Sequence, residues 1–105
     1  MISNVVVSYT VKPDSVDEHL RLIEAIFAQL SNEQTASVEY KVMRLADGVS
    51  FVHVSTADTP DGSNPLPQLS SFQEFSSGLM DRVATPPAPS GADLVGSYTP
   101  AASTA

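Results

Sequence analysis

Apolar residues alternate with polar ones in three segments of the chain, with the period of two that is typical of strands. The segments span 4–12, 37–45 and 49–56. The second and third are joined through Asp47-Gly48, a pair that favours the tight turn of a β-hairpin. On the third strand Phe51, His53 and Ser55 share one face, and Val52 and Val54 the other. The pattern therefore predicts one strand followed, after an intervening segment, by an antiparallel hairpin.

A helical period fills the gap between the first two strands. Pro13-Asp14 turns the chain, and Ser15 and Glu18 match a capping box, in which each side chain satisfies the other residue's backbone N–H. The predicted helix ends near Asn32. Its apolar stripe, which faces the predicted core, consists of Val16, Leu20, Ile23, Ile26, Phe27 and Leu30.

A second helical period runs from Leu69 to Val83 and cannot continue through Pro86-Pro87. Ser70 and Gln73 are predicted to cap it. Gly78 lies inside this helix, where it marks either a close neighbour or a local irregularity.

The fourth strand is predicted over Ala92–Thr99, which gives the order βαββαβ. This order is typical of a ferredoxin-like α+β domain with a four-stranded antiparallel sheet and both helices on one face. We expect a single domain over residues 1–99 and a flexible tail over 100–105. The mid-chain segment 58–65 is rich in turn residues and is interpreted as a loop rather than a domain boundary.

The second face of such a sheet has no helices to cover it. Val52 and Val54 would make part of this face apolar, so we expect a homodimer that packs sheet on sheet as a dimeric α/β barrel. The alternative is a monomer, in which Ser8, Thr10 and Lys41 and their polar neighbours keep the same face hydrated.

Composition narrows the chemistry. The chain has 105 residues, 5 Lys+Arg against 12 Asp+Glu, a formal charge of −7, and neither cysteine nor tryptophan. The missing cysteine excludes disulfides, thiolate metal sites and cysteine nucleophiles. The acidic balance argues against nucleic acid and anionic membranes as partners. The apolar stretch at the N-terminus is short and interrupted, which predicts neither a signal nor a membrane segment, and we expect a cytoplasmic protein.

Several segments resemble the antibiotic biosynthesis monooxygenase (ABM) family of dimeric α/β-barrel proteins, most closely its small uncharacterised actinobacterial members. The resemblance covers residues 4–99 and is carried by the element order and by the segments Val49-Ser50-Phe51-Val52-His53-Val54, Asn64-Pro65-Leu66-Pro67-Gln68-Leu69 and Leu94-Val95-Gly96-Ser97-Tyr98, with Phe72 and Phe75. It implies a homodimer that acts without a cofactor, as a monooxygenase or an isomerase, on a small aromatic or polyketide-like molecule. The haem-degrading branch is a poor match, because it relies on a tryptophan.

His53 is the first candidate catalytic residue, because an imidazole among apolar neighbours in a strand is able to exchange a proton near neutral pH. The structural alternative is a core histidine bonded to a backbone carbonyl. Tyr9, Tyr40 and Tyr98 lie on three predicted strands and either converge on a ligand or serve as ordinary strand residues. Tyr40 is the second candidate catalytic residue and Tyr9 a candidate ligand-binding one.

Asn64 is the third candidate catalytic residue: the resemblance implies that it presents its amide to a substrate, whereas its place before Pro65 favours a helix cap. His19 lies beside the first helix's apolar stripe and is either a pocket residue or a boundary residue. Arg44 and Arg82 either bind a carboxylate or an enolate or are solvated, as arginines near the ends of elements usually are. The candidate ligand-binding residues are Tyr9, His19, Phe51, Phe72 and Phe75. No metal-ligand spacing occurs, and neither a metal nor a cofactor is expected.

Two functional hypotheses follow. In the first, the chain is an enzyme with a pocket between sheet and helices, in which His53 moves a proton and Tyr9, Tyr40 and Asn64 orient the substrate. In the second, the chain is a non-catalytic homodimer that binds a small apolar or aromatic ligand, or acts as an accessory protein.

Overall fold

The computed structural model describes residues 1–100, so the predicted tail lies outside the described residues except for Pro100. The elements are β1 (Ile2–Val11), α1 (Val16–Glu33), β2 (Val38–Arg44), β3 (Ser50–Asp58), α2 (Ser70–Ser77), α3 (Leu79–Arg82) and β4 (Val83–Ala92), with 3-10 turns at Pro13–Ser15 and Leu66–Gln68.

The four strands form one antiparallel sheet in the order β2-β3-β1-β4, with the helices on one face. The predicted ferredoxin-like α+β fold is therefore confirmed. The hairpin between β2 and β3 turns at Gly48, whose φ of 79° suits glycine, and the Asp47 carboxylate accepts hydrogen bonds from the next backbone N–H groups. In the sheet's centre, Val7 of β1 pairs with His53 of β3.

The predicted position of the fourth strand is wrong. β4 spans Val83–Ala92, directly after the helix, and residues 93–100 form no regular element. Pro86, Pro87 and Pro89 concealed it, since proline cannot donate a hydrogen bond to a ladder. An edge strand tolerates proline because one side of it has no partner, and β4 is an edge strand.

Both predicted helix caps are also wrong. Ser15 makes no side-chain cap bond, because the 3-10 turn before it already gives it a helical backbone with φ −102° and ψ −1°. The N-terminus of α2 is capped by Gln29 in α1, whose side-chain Oε1 accepts a hydrogen bond from the Ser71 backbone N–H at 2.9 Å. The cap of the second helix thus comes from the first helix, and Gln73 instead donates to the Pro67 carbonyl.

Gly78 interrupts the second helical segment, so that α2 ends at Ser77 and α3 begins at Leu79. A Cβ at position 78 would lie 2.8 Å from Arg82 Nη1. Gly78 is thus both a local irregularity and a close approach, and it leaves space for the Arg82 side chain.

The core lies between the sheet and the helices. On β3 the residues Phe51, His53, Ser55 and Ala57 are buried on the helix-facing side, as the alternation predicted. Among residues 1–100, no helix lies on the other side of the sheet. None of the helices in residues 1–100 has the length and apolar character to cross a bilayer. The residues that form the core are Tyr9, Val11, Val16, Ile23, Ile26, Phe51, Leu66, Leu69, Phe75 and Val83.

Candidate functional site

An open cavity of about 300 Å³ lies between the inner face of the sheet and the segment that leads into α2. That volume is at the lower end of the range for small-molecule sites. Its wall is mostly apolar, with a few polar groups on one side. The lining residues are Val5, Val7, Tyr9, Tyr40, His53, Ser55, Asn64, Leu66, Pro67, Phe72, Phe75, Ser76 and Leu79.

Five side chains from five elements form a continuous hydrogen-bonded chain beside this cavity. Arg82 Nε in α3 lies 3.1 Å from His19 Nδ1 in α1. The Tyr9 hydroxyl in β1 lies 2.6 Å from His19 Nε2 and 2.5 Å from His53 Nε2 in β3. His53 Nδ1 lies 2.5 Å from the Tyr40 hydroxyl in β2. Both histidines therefore have both ring nitrogens engaged by side chains.

Burial keeps the two histidines and two tyrosines of this hydrogen-bonded chain uncharged at neutral pH, so that Arg82 is its one charged member. Desolvation lowers the pKa of His53 to about 4. Desolvation, followed by the positive charges of Arg82 and of protonated His53, lowers the pKa of His19 to about 4 as well. Desolvation raises the pKa of the Tyr9 and Tyr40 phenols far above their ordinary value. Two neutral imidazoles and two neutral phenols are therefore hydrogen-bonded in series.

Arg82 is 5% exposed, so the expectation that it is solvated is wrong. Besides its bond to His19, it donates from Nη2 to the Phe75 carbonyl oxygen at 2.7 Å, and its guanidinium carbon lies 5.2 Å from the Phe75 ring centroid. Burial lowers the pKa of Arg82, but a guanidinium keeps its proton in proteins. A permanent positive charge thus lies at one end of the chain.

Asn64 caps the 3-10 turn before α2 rather than α2 itself, and its contact with a substrate stays a prediction. Its side-chain oxygen accepts from the Leu66 backbone N–H at 2.9 Å and so begins the 3-10 turn Leu66–Gln68. Its amide nitrogen lines the cavity and donates to Ser55 Oγ at 3.1 Å. Capping and a ligand contact are therefore compatible at this residue.

Of the eight predicted site residues, six line the cavity: Tyr9, Tyr40, His53, Asn64, Phe72 and Phe75. The other two, His19 and Phe51, pack behind Tyr9, with ring centroids 4.8 Å apart. His19 is fully buried rather than at the boundary of the helix. Tyr98 is 79% exposed and does not converge with the other two tyrosines.

Sequence reasoning missed Ser55 as a site residue and assigned Arg82 to solvent. The sequence allowed Ser55 to be predicted, because it lies two positions after His53 and therefore on the same face of β3. Nothing in the periodicity indicated that Arg82 turns inward; only the break at Gly78 shows how it is accommodated. Within residues 1–100, no group of three or more His, Asp or Glu side chains lies close enough to hold a metal ion.

Solved structures of low sequence identity share this fold. Rv0793 from Mycobacterium tuberculosis superposes with a TM-score of 0.76 at 13% identity, over 94% of this chain and 100% of the other. A structure from Nitrosomonas europaea, named as a candidate antibiotic biosynthesis monooxygenase, superposes with a TM-score of 0.74 at 14% identity, over 90% of each chain. A structure from Caulobacter crescentus with the same name superposes with a TM-score of 0.73 at 14% identity, over 90% of this chain and 91% of the other. No family model and no curated protein sequence matches the chain.

Proposed function

We propose that this chain is an ABM-like enzyme that moves a proton on a small aromatic or polyketide-like molecule without a cofactor, as a monooxygenase or an isomerase. The observation that carries the proposal is the neutral imidazole of His53 in the wall of an apolar cavity of about 300 Å³. A fold alone hosts many activities, so the likeness to structures named as monooxygenases supports the proposal only at the level of architecture.

The details of the cavity favour this enzyme hypothesis over a packed structural core. Within the described part of the chain, His53 is bonded to two phenols and to no backbone carbonyl, and the space beside it is open. Phe72 and Phe75 form an apolar wall for an aromatic ring. Proton exchange between His53 and a ligand in this space passes through the Tyr40 hydroxyl, because Tyr40 lines the cavity and is bonded to His53 Nδ1.

The test uses proton exchange at carbon as the simplest reaction of this class. We expect the protein to accelerate deuterium exchange at the carbon next to the carbonyl of 1-tetralone in D₂O, measured by proton NMR. Oxygen uptake with 1-naphthol, followed with an oxygen electrode, tests the monooxygenase variant. The His53→Gln variant should lose either activity while retaining the wild-type circular dichroism spectrum, and Tyr98→Phe is the matched control on an exposed residue.

A non-catalytic binding protein is the second candidate. It is favoured by one observation: both nitrogens of His53 are already engaged by protein groups, so neither is free to act as a base. Binding of 1-tetralone with neither exchange nor oxygen uptake for either compound would support this role and contradict the enzyme.

The proposed function includes a homodimer that covers the uncovered face of the sheet. On that face Val54 and Val52 are only half-buried and Met43 is 52% exposed. The C-terminal segment runs beside this face, where Leu94 and Ser97 line a groove together with Val54. A second copy would remove these apolar side chains from water.

A further inference from the structure

The direction of the hydrogen-bonded chain is set at its arginine end. Arg82 Nε carries a hydrogen and has no lone pair to offer, so it donates to His19 Nδ1. A neutral imidazole has one N–H, and therefore His19 carries its hydrogen on Nε2. That N–H donates to the Tyr9 hydroxyl oxygen.

Tyr9 transmits this direction to His53. Tyr9 is 4% exposed, and its hydroxyl contacts only His19 and His53 among the polar side chains of residues 1–100. Since His19 is the donor in the first contact, the Tyr9 hydrogen has one acceptor left, which is His53 Nε2. Leaving that buried hydrogen unpaired would cost roughly 1–3 kcal/mol. His53 therefore carries its own hydrogen on Nδ1.

The last link ends at the cavity. His53 Nδ1–H donates to the Tyr40 oxygen, so the Tyr40 hydrogen points elsewhere. Within residues 1–100 the Tyr40 hydroxyl has no other hydrogen-bond partner, and Tyr40 lines the cavity. The arginine thus determines that the phenol hydrogen is free to donate to whatever occupies this space.

The neighbouring polar groups also direct hydrogen-bond donors towards the cavity. Asn64 uses one amide hydrogen on Ser55 Oγ and has a second one left. Ser55 accepts that bond, and its own hydroxyl hydrogen has no acceptor among the described residues. Both residues line the cavity on the side of His53. The polar wall is therefore rich in donors.

We propose that Arg82 is a positioning residue that orients the chain through His19, Tyr9 and His53, so that the cavity binds apolar ring compounds bearing a hydrogen-bond-accepting oxygen, such as a ketone or a deprotonated phenol, on Tyr40. This inference deepens the proposed function and rests on it only in placing the ligand in the same cavity.

The tautomers of the two histidines test the orientation without any ligand. In nitrogen-15 NMR an unprotonated imidazole nitrogen is distinguished from a protonated one by its chemical shift. We expect unprotonated Nδ1 and protonated Nε2 in His19, and the reverse in His53. The Arg82→Met variant should mix the tautomers of both residues, whereas Arg21→Met, on the exposed side of α1, should leave them unchanged. A protonated Nε2 on His53 in the wild-type protein would overturn the proposal, whether or not the Arg82 variant folds.

The ligand preference is tested with two molecules of nearly equal shape. Isothermal titration calorimetry with 1-tetralone and with tetralin compares a bicyclic ketone with its hydrocarbon counterpart. We expect the ketone to bind about fivefold to tenfold more tightly, the value of one hydrogen bond. Tyr40→Phe should abolish this preference while leaving tetralin affinity within about twofold, and Tyr98→Phe should change neither.

The outcomes separate the two proposals. Ketone preference without proton exchange or oxygen uptake supports the oriented chain and contradicts the enzyme. Exchange or oxygen uptake together with equal affinity for ketone and hydrocarbon, or with a preference that survives Tyr40→Phe, contradicts the oriented chain and leaves the enzyme intact.

Discussion

Arg82 Nε donates to His19 Nδ1 over 3.1 Å, although the two residues are 63 positions apart in the sequence. A buried guanidinium ordinarily pairs with a carboxylate, but here the partner is a neutral imidazole, and no carboxylate forms a salt bridge with Arg82 among residues 1–100. Burial and the neighbouring Tyr40 raise the pKa of the Tyr9 phenol, and the positive charge of Arg82 opposes this effect. A buried positive charge thus lies inside a protein whose formal charge is −7.

Removing the Tyr9 hydroxyl should destabilise the fold. Tyr9→Phe leaves a buried N–H of His19 without an acceptor and His53 Nε2 without a donor. We expect the free energy of unfolding, measured with urea, to fall by about 1–3 kcal/mol. Tyr98→Phe removes the same atom from an exposed side chain and should change it by less than about 0.5 kcal/mol. Equal effects of the two substitutions would contradict the hydrogen-bonded chain.

Stability should decline with acid over the range in which free histidine titrates. Both histidines have native pKa values of about 4, below the value near 6.5 in the unfolded chain, so the unfolded state binds more protons between these values. Their contribution is complete above about pH 6.5 and is lost as pH falls towards 4. Each histidine should reduce the free energy of unfolding by up to about 1.4 kcal/mol per pH unit.

The control for this prediction removes one titrating group. The chain has 2 histidines, so His53→Gln should remove one of the two histidine contributions and flatten the pH dependence between pH 6.5 and 4, measured as urea midpoints. An unchanged slope in this variant would show that His53 does not titrate as its burial requires.

A methyl group at position 78 should disturb the hydrogen-bonded chain through Arg82. In Gly78→Ala the new Cβ would lie 2.8 Å from Arg82 Nη1, and the guanidinium is held by Phe75 and His19. Because Gly78 lies between α2 and α3, alanine gains less there than the roughly 1 kcal/mol it gains over glycine inside a helix, and we expect a net loss of about 1–3 kcal/mol. Gly91→Ala is the matched control, because no atom lies within 4 Å of its Cβ. Stabilisation by Gly78→Ala would mean that the arginine moves aside freely.

The proposed homodimer predicts that a charge on the uncovered face of the sheet separates the subunits. Sedimentation velocity at micromolar concentration should show a dimer for the wild-type chain and a monomer for Val54→Asp. Ala25→Asp places the same charge on the exposed side of α1 and should leave the dimer intact. A wild-type monomer under these conditions would exclude sheet-on-sheet association.

The sequence predicted the fold well where local and long-range signals agree. The alternation in β1 and β3, the Asp47-Gly48 turn and the apolar stripe of α1 all reflect burial of one face, which tertiary packing reinforces. β4 escaped prediction because its three prolines contradict local strand propensity and are accommodated only by an edge position, which is a property of the whole sheet.

Most of the predicted candidate residues line the cavity, but the hydrogen bonds that connect them were not predicted. Tyr40 and His53 were identified by residue type and strand, since inward-facing positions follow from the period of two. The role of Arg82 depends on the break at Gly78 and on the depth of the α3 end, which no pattern in the sequence specifies. Hydrogen-bond partners this far apart in sequence are fixed by the assembled fold.

The prolines of β4 also bear on how the molecule avoids aggregation. An edge strand normally offers a row of N–H and C=O groups on which a strand of another molecule can grow. Pro86, Pro87 and Pro89 supply no N–H, so a strand docking along β4 would find gaps in the ladder. These residues protect the sheet from extension into a fibre at this edge.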